Sequence, residues 1–205
     1  MHKKQFVAAG VSLEIATKVL IMLHGRGADA NDILGLAGDL NIPEFAIIAP
    51  EASGHSWYPY SFLSVPSLNE PWLSSSLDLL KEIIADLTTR GIKNENIFFL
   101  GFSQGACLTL EYTTRHATRY GGIVAFTGGL IGDRIYTSNY HGDFSGTHIL
   151  LASSDPDPHV PAERVRLSSK LLTEKQAVVK LIFYQGMGHT ITNEEIRLAN
   201  EFIFS

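Results

Sequence analysis

Along the chain, short runs of apolar residues recur at 17–23, 45–50, 96–100, 122–126, 148–152 and 178–184, each bounded by glycine, proline or polar turns. Runs of this length, apolar at nearly every position, suit strands covered on both faces, as in a parallel sheet. Residues 6–11 make a weaker opening strand. Between the runs the spacing changes. Leu77, Leu79, Leu80, Ile83, Ile84 and Leu87 repeat at helical intervals from about Ser74, and Gly91 follows Arg90 as a C-cap. Helical stretches are also predicted at 106–116, 162–175 and 193–204. A short helix runs through Leu34, Leu36 and Leu40, capped by Asp29 or Asn31. Strands alternating with helices in this way predict an α/β fold, a mostly parallel sheet with helices on both faces.

In such sheets ligands bind beyond the carboxyl ends of the strands. Polar clusters stand at just those ends: after Leu23, after Leu100, after Ala152 and after Tyr184. Two longer connections break the rhythm. Residues 50–72 carry Trp57, Tyr58, Tyr60, Phe62 and Trp72 among prolines, too aromatic for a free linker, and are expected to fold over the sheet end and wall a pocket. Residues 128–146, rich in Gly, Tyr, Asp and Ser, form the second loop.

A chain of 205 residues suits one domain, residues 1–205, and is cramped for two. The hydrophobic share of 45% against 18% charged residues is that of an ordinary globular protein. A net charge of -5 with no basic block argues against nucleic acid and anionic membranes as partners. No apolar run approaches the ~18 residues needed to span a bilayer, and the apolar part of the N-terminus is too short for a secretion signal. The one cysteine, Cys107, reads as a small core residue and is compatible with the cytoplasm. The histidines are scattered without metal-ligand spacing, and Gly25-Arg26-Gly27 lacks the third glycine of a dinucleotide fingerprint, so neither a metal nor a cofactor is expected. Oligomeric state is not legible, although exposed aromatic loops leave room for a homodimer.

The cluster after Leu100 is Gly101-Phe102-Ser103-Gln104-Gly105, between a strand and a helix. That context fits a nucleophile elbow, where glycines at both ends let strand and helix meet at a sharp angle and hold a serine hydroxyl clear of the backbone. A serine needs a base and a third group to orient that base. His189, in a Gly-Met-Gly-His turn after the last strand, is the expected base. Asp155 and Asp157 both lie in the turn after the strand ending at Ala152, and the pattern does not choose between them. A tetrahedral intermediate also needs amide donors. The amide of Gln104 is one, and a second comes from Leu23-His24-Gly25-Arg26-Gly27, where we take that of Leu23, with the His24 ring buttressing the turn.

Together the stretches Leu23-His24-Gly25-Arg26-Gly27, Gly101-Phe102-Ser103-Gln104-Gly105, Asp157-Pro158-His159-Val160-Pro161 and Gly186-Met187-Gly188-His189 resemble the phospholipase/carboxylesterase family of small α/β-hydrolases, which includes the acyl-protein thioesterases. The resemblance implies an α/β-hydrolase fold without a separate lid domain, a Ser103-Asp157-His189 triad, no cofactor, and hydrolysis of carboxylic or thio esters. It selects Asp157 because the family's acid precedes a Pro-x-Val-Pro run, and it matches the amides of Leu23 and Gln104 to the oxyanion positions. The chain departs from the family where Pro59 follows Trp57-Tyr58, where His159 replaces an apolar residue and where Ala106 replaces a glycine. The expected activity is a serine esterase on small or medium carboxylic esters, with Trp57, Tyr58 and His159 at the substrate. The alternatives are a thioesterase, a lactone or dienelactone hydrolase, or a hydrolase-fold protein that binds a small ligand without turning it over.

Overall fold

The computed structural model describes residues 1–205. Its strands are β1 (Phe6–Gly10), β2 (Lys18–Leu23), β3 (Phe45–Pro50), β4 (Ile97–Phe102), β5 (His116–Ala117), β6 (Gly122–Phe126), β7 (His141–Gly142), β8 (His148–Asp155) and β9 (Val178–Gln185). The helices are α1 (Ala30–Leu34), α2 (Trp72–Thr89), α3 (Gln104–Arg115), α4 (Ala162–Glu174) and α5 (Asn193–Phe202). Seven strands form one sheet in the order β1-β3-β2-β4-β6-β8-β9. β1 runs antiparallel to β3, and every other pairing in that sheet is parallel. None of the helices is long and apolar enough to cross a membrane.

The near-continuous apolar runs divide residue by residue between the two faces of the sheet. Val19, Ile21, Leu23, Phe99, Ile123 and Ala125 pack into one core with apolar residues of α2, α3 and α4. Their neighbours Leu20, Met22, Phe98, Leu100, Val124 and Phe126 pack into the other with Ala30 and Ile33 of α1 and Ile196, Leu198 and Ala199 of α5. Each Val, Leu, Ile, Phe or Met among them is worth roughly 1.5–3 kcal/mol for leaving water, which is why the central strands carry no polar alternation. At the start of α1, Asp29 is the N-cap: its Oδ1 accepts from the amides of Asn31 at 2.8 Å and Asp32 at 3.0 Å.

Several boundaries differ from the sequence pattern. The apolar runs stop at Leu100 and Ala152, whereas β4 continues to Phe102 and β8 to Asp155. β8 keeps its backbone ladder through Ser153↔Phe183, Ser154↔Tyr184 and Asp155↔Gln185, although its side chains have turned polar. α2 begins at Trp72 instead of Ser74, so that Leu73 reaches the core. α5 ends at Phe202. The 128–146 loop holds a tight turn at Thr137–Asn139 and the two-residue strand β7, which pairs with β5.

Candidate active site

Between β4 and α3 stands a single residue, Ser103, with φ 54° and ψ -117°. A non-glycine residue held at such angles costs of order 1–3 kcal/mol, so its surroundings must impose them. Its amide donates to the Phe126 carbonyl at 3.0 Å, and its carbonyl accepts from Cys107 N at 3.0 Å, tying it to β6 and to the first turn of α3. Backbone approaches backbone around it too closely for side chains. A Cβ on Gly101 would lie 2.5 Å from the Gly105 carbonyl oxygen, and one on Gly105 would lie 2.1 Å from that of Leu23 and 2.5 Å from that of His24.

Ser103 Oγ lies 2.8 Å from His189 Nε2, and His189 Nδ1 lies 2.8 Å from Asp157 Oδ2. An ionised carboxylate only accepts, so the imidazole proton sits on Nδ1 and the free lone pair of Nε2 faces the serine. The turn that carries His189 is fastened to the acid loop: Gly188 N donates to Ser154 Oγ at 3.1 Å, and Gly186 N to the Asp155 carbonyl at 3.3 Å. The Phe102 ring packs on His189 with centroids 5.2 Å apart, and His159 meets it edge-on at 4.9 Å.

The two candidate acids separate clearly. Asp155, last residue of β8, turns outward and accepts a 3.4 Å hydrogen bond from Arg166 Nη2. Asp157, two residues on, has a fully buried side chain whose Oδ1 accepts from the amides of His159 and Val160, both at 2.8 Å. Burial alone would raise its pKa, but the His159 amide, the His189 ring and the Val160 amide together hold the carboxyl below its ordinary value. A depressed native pKa stabilises the fold above the unfolded value of about 3.9, and that contribution is lost as the pH falls through the lower native one. Urea unfolding measured between about pH 6 and pH 3 is therefore expected to show a steeper acid decline for the parent than for Asp157→Asn; parallel curves would refute the assignment of that charge.

Gln104, the first residue of α3, lines a cavity of about 370 Å³ together with Ser103, His189, His159, Arg26 and Tyr58. Leu23 does not reach it. This residue is the fully buried last position of β2, paired with Gly101, and it turns its carbonyl toward Gly105 of α3. The choice of Leu23 as amide donor is corrected accordingly. Further along the same turn, a Cβ on Gly25 would sit 3.5 Å from Ser103 Cβ. The next amide, that of Arg26, makes no hydrogen bond within the chain and belongs to a residue that lines the cavity. His24 lies behind the turn as a buttress: Nε2 accepts from Ala52 N at 3.1 Å, so Nδ1 donates to the Gly25 carbonyl at 2.8 Å.

Of the aromatic residues expected at the substrate, Tyr58 lines the cavity and Trp57 does not. Trp57 is completely buried beneath the wall, its Nε1 donating to the His24 carbonyl at 2.9 Å and its ring packed 5.0 Å from that of His24. The wall is fastened by a side chain that the sequence does not single out. Gln104 Oε1 accepts from Trp57 N at 2.9 Å, and its Nε2 donates to the Tyr58 carbonyl at 2.8 Å. Arg26 straps the next two residues, its Nη1 donating to the Pro59 carbonyl and its Nη2 to that of Tyr60, both at 2.7 Å. Cys107, on α3, also touches the cavity, but burial pushes its thiol up to about 12, so it stays protonated and is no competing nucleophile.

The family description phospholipase/carboxylesterase matches residues 6–205. A crystal structure of a phospholipase/carboxylesterase from Dyadobacter fermentans is 49% identical and superposes with a TM-score of 0.98, covering 100% of this chain and 98% of that one. Acyl-protein thioesterase 1 of Saccharomyces cerevisiae is 29% identical, with 93% of each chain aligned. A probable carboxylesterase, SOBER1-like, of Arabidopsis thaliana is 27% identical over 151 residues, which span 72% of this chain and 58% of that protein. With its mostly parallel seven-stranded sheet and the match over nearly its whole length, the chain has the α/β-hydrolase fold and belongs to the phospholipase/carboxylesterase family.

Proposed function

We propose that the protein is a cytoplasmic serine carboxylesterase that cleaves small to medium carboxylic esters through an acyl-enzyme. The observation that carries this reading is the unbroken chain of two 2.8 Å hydrogen bonds from Ser103 Oγ through the His189 ring to Asp157. Ser103 Oγ attacks the ester carbonyl while His189 Nε2 takes its proton, and Asp157 steadies the imidazolium without being protonated itself. The negative oxygen is held by the amides of Gln104 and Arg26. His189 then protonates the departing alcohol, and a water activated by the same ring releases the acid. Phe62, Val160 and Tyr58 give the cavity an apolar side for the acyl group, and its volume of about 370 Å³ sits at the small end for ligand pockets. Thioesters enter the same route, and the likeness to the yeast acyl-protein thioesterase supports including them in the substrate panel.

A fluorophosphonate probe is expected to label the parent at Ser103 and to leave Ser103→Ala unlabelled. Hydrolysis of p-nitrophenyl acetate is expected to fall by at least about 10⁴-fold in that variant. Labelling elsewhere, or turnover that survives the substitution, would sink the proposal. A protein that binds esters and releases them unchanged would instead be a small-ligand binder on the same fold.

A further inference from the structure

Among the residues that line the cavity, Arg26 is the one permanently charged side chain, and no carboxylate lines it. Its guanidinium takes part in no ion pair. Arg90, Arg119, Arg134 and Arg164 also make no ion pair but do not line the cavity, and the other three arginines are paired. Arg115 is paired with Glu111, Arg166 with Asp155, and Arg197 with Glu194 and Glu201. The partners of Arg26 are the adjacent carbonyls of Pro59 and Tyr60, which fix the plane of the guanidinium and leave its charge uncompensated. Those bonds use two of its five N–H donors, so three remain for an anion.

The Tyr58 hydroxyl in the same wall is shut off from solvent beside the Cys107 thiol and offers a ligand no donor. A cavity built for plain alkyl esters has no use for the Arg26 charge.

We infer that the ester taken by this cavity carries a carboxylate, received by the Arg26 guanidinium. The inference rests on the esterase reading above and names its substrate class: half-esters of dicarboxylic acids, or esters of hydroxy acids. Arg26 stands at the exposed rim, where water and salt weaken a charge pair, so the expected preference is about 10-fold.

Ser103→Ala protein isolates recognition from turnover. Its affinity by calorimetry for monomethyl succinate, which carries the anion on the acyl half, is compared with that for methyl butyrate. O-acetylglycolate, with the anion on the alcohol half, is compared with propyl acetate. At low ionic strength at least one anionic ester is expected to bind about 10-fold tighter than its neutral counterpart. That preference is expected to shrink in about 0.5 M NaCl, to vanish in Arg26→Gln and to survive in part in Arg26→Lys. Each preference is a ratio within one protein, so loosening of the 59–60 wall in a variant cancels. The salt series on the unsubstituted Arg26 decides the matter should a variant not fold. Equal affinities, or a preference indifferent to both salt and Arg26→Gln, would overturn the inference. In the protein that retains Ser103, turnover of neutral esters without an anionic preference removes this inference and leaves the esterase reading. Anionic preference in binding with no turnover of any ester removes the esterase reading instead.

Discussion

His189→Ala protein is expected to hydrolyse p-nitrophenyl acetate about 10⁴-fold or more slowly than the parent while still folded at the assay temperature. The ring is one-fifth exposed and sits in the turn after β9, so its loss opens no core cavity. What disappears is the proton acceptor 2.8 Å from Ser103 Oγ. On the proposed mechanism serine, base and acid act as a unit, and adding Ser103→Ala to His189→Ala should cost little more than either alone. The acid is tested in the same assay. Asp157→Asn should lose about 10³–10⁴-fold, since an amide at that place no longer fixes the proton on Nδ1. Asp155→Asn should stay within a few-fold, because it breaks only a surface pair with Arg166. Comparable losses at both aspartates would show that the buried 2.8 Å bond does not select the acid.

Gly105→Ala is the substitution with the largest expected effect on folding. Its methyl would stand 2.1 Å and 2.5 Å from two backbone oxygens at the end of β2, and neither can give without moving the strand or α3. A loss of about 3 kcal/mol is expected from such overpacking, read as a shift of the urea midpoint. Gly188→Ala provides the contrast. Its φ is +81° and no atom lies within 4 Å of the added methyl, so only backbone strain of about 1 kcal/mol is expected. Equal midpoints for the two variants would mean that the approach of α3 to β2 is not what demands glycine.

How much of this was legible beforehand depends on whether a feature is written in side chains or in the backbone. The paired cores follow from strands apolar at every position, because burial on both faces leaves no other composition for Val19–Leu23 or for Phe98–Leu100. Ser103 and His189 were legible because glycines mark the turns that present them. The extension of β8 was not, since Ser153 and Ser154 look like loop residues and only the ladder to Phe183 and Tyr184 keeps them in the sheet. That hidden extension decides which aspartate has left the strand. The preference for Asp157 came from resemblance, whereas its two amide donors and its imidazole partner are tertiary facts. Leu23 was misread because a count along Leu23-His24-Gly25-Arg26 cannot say which amide is still inside the ladder and which has turned toward the serine. Trp57 was misread for a related reason: aromatic composition announces a wall without saying which ring faces inward.

The glutamine beside the serine opens α3 and holds the cavity wall through its side chain. A change that moves residues 57 and 58 therefore pulls on the residue next to Ser103, and the shape of the wall and the placement of that hydroxyl do not vary independently there. Residues 60 and 62 also border the cavity but make no bond to Gln104. Anyone wishing to retune which molecules this protein accepts should diversify Tyr60 and Phe62 first and leave Trp57, Tyr58 and Gln104 as one inherited block.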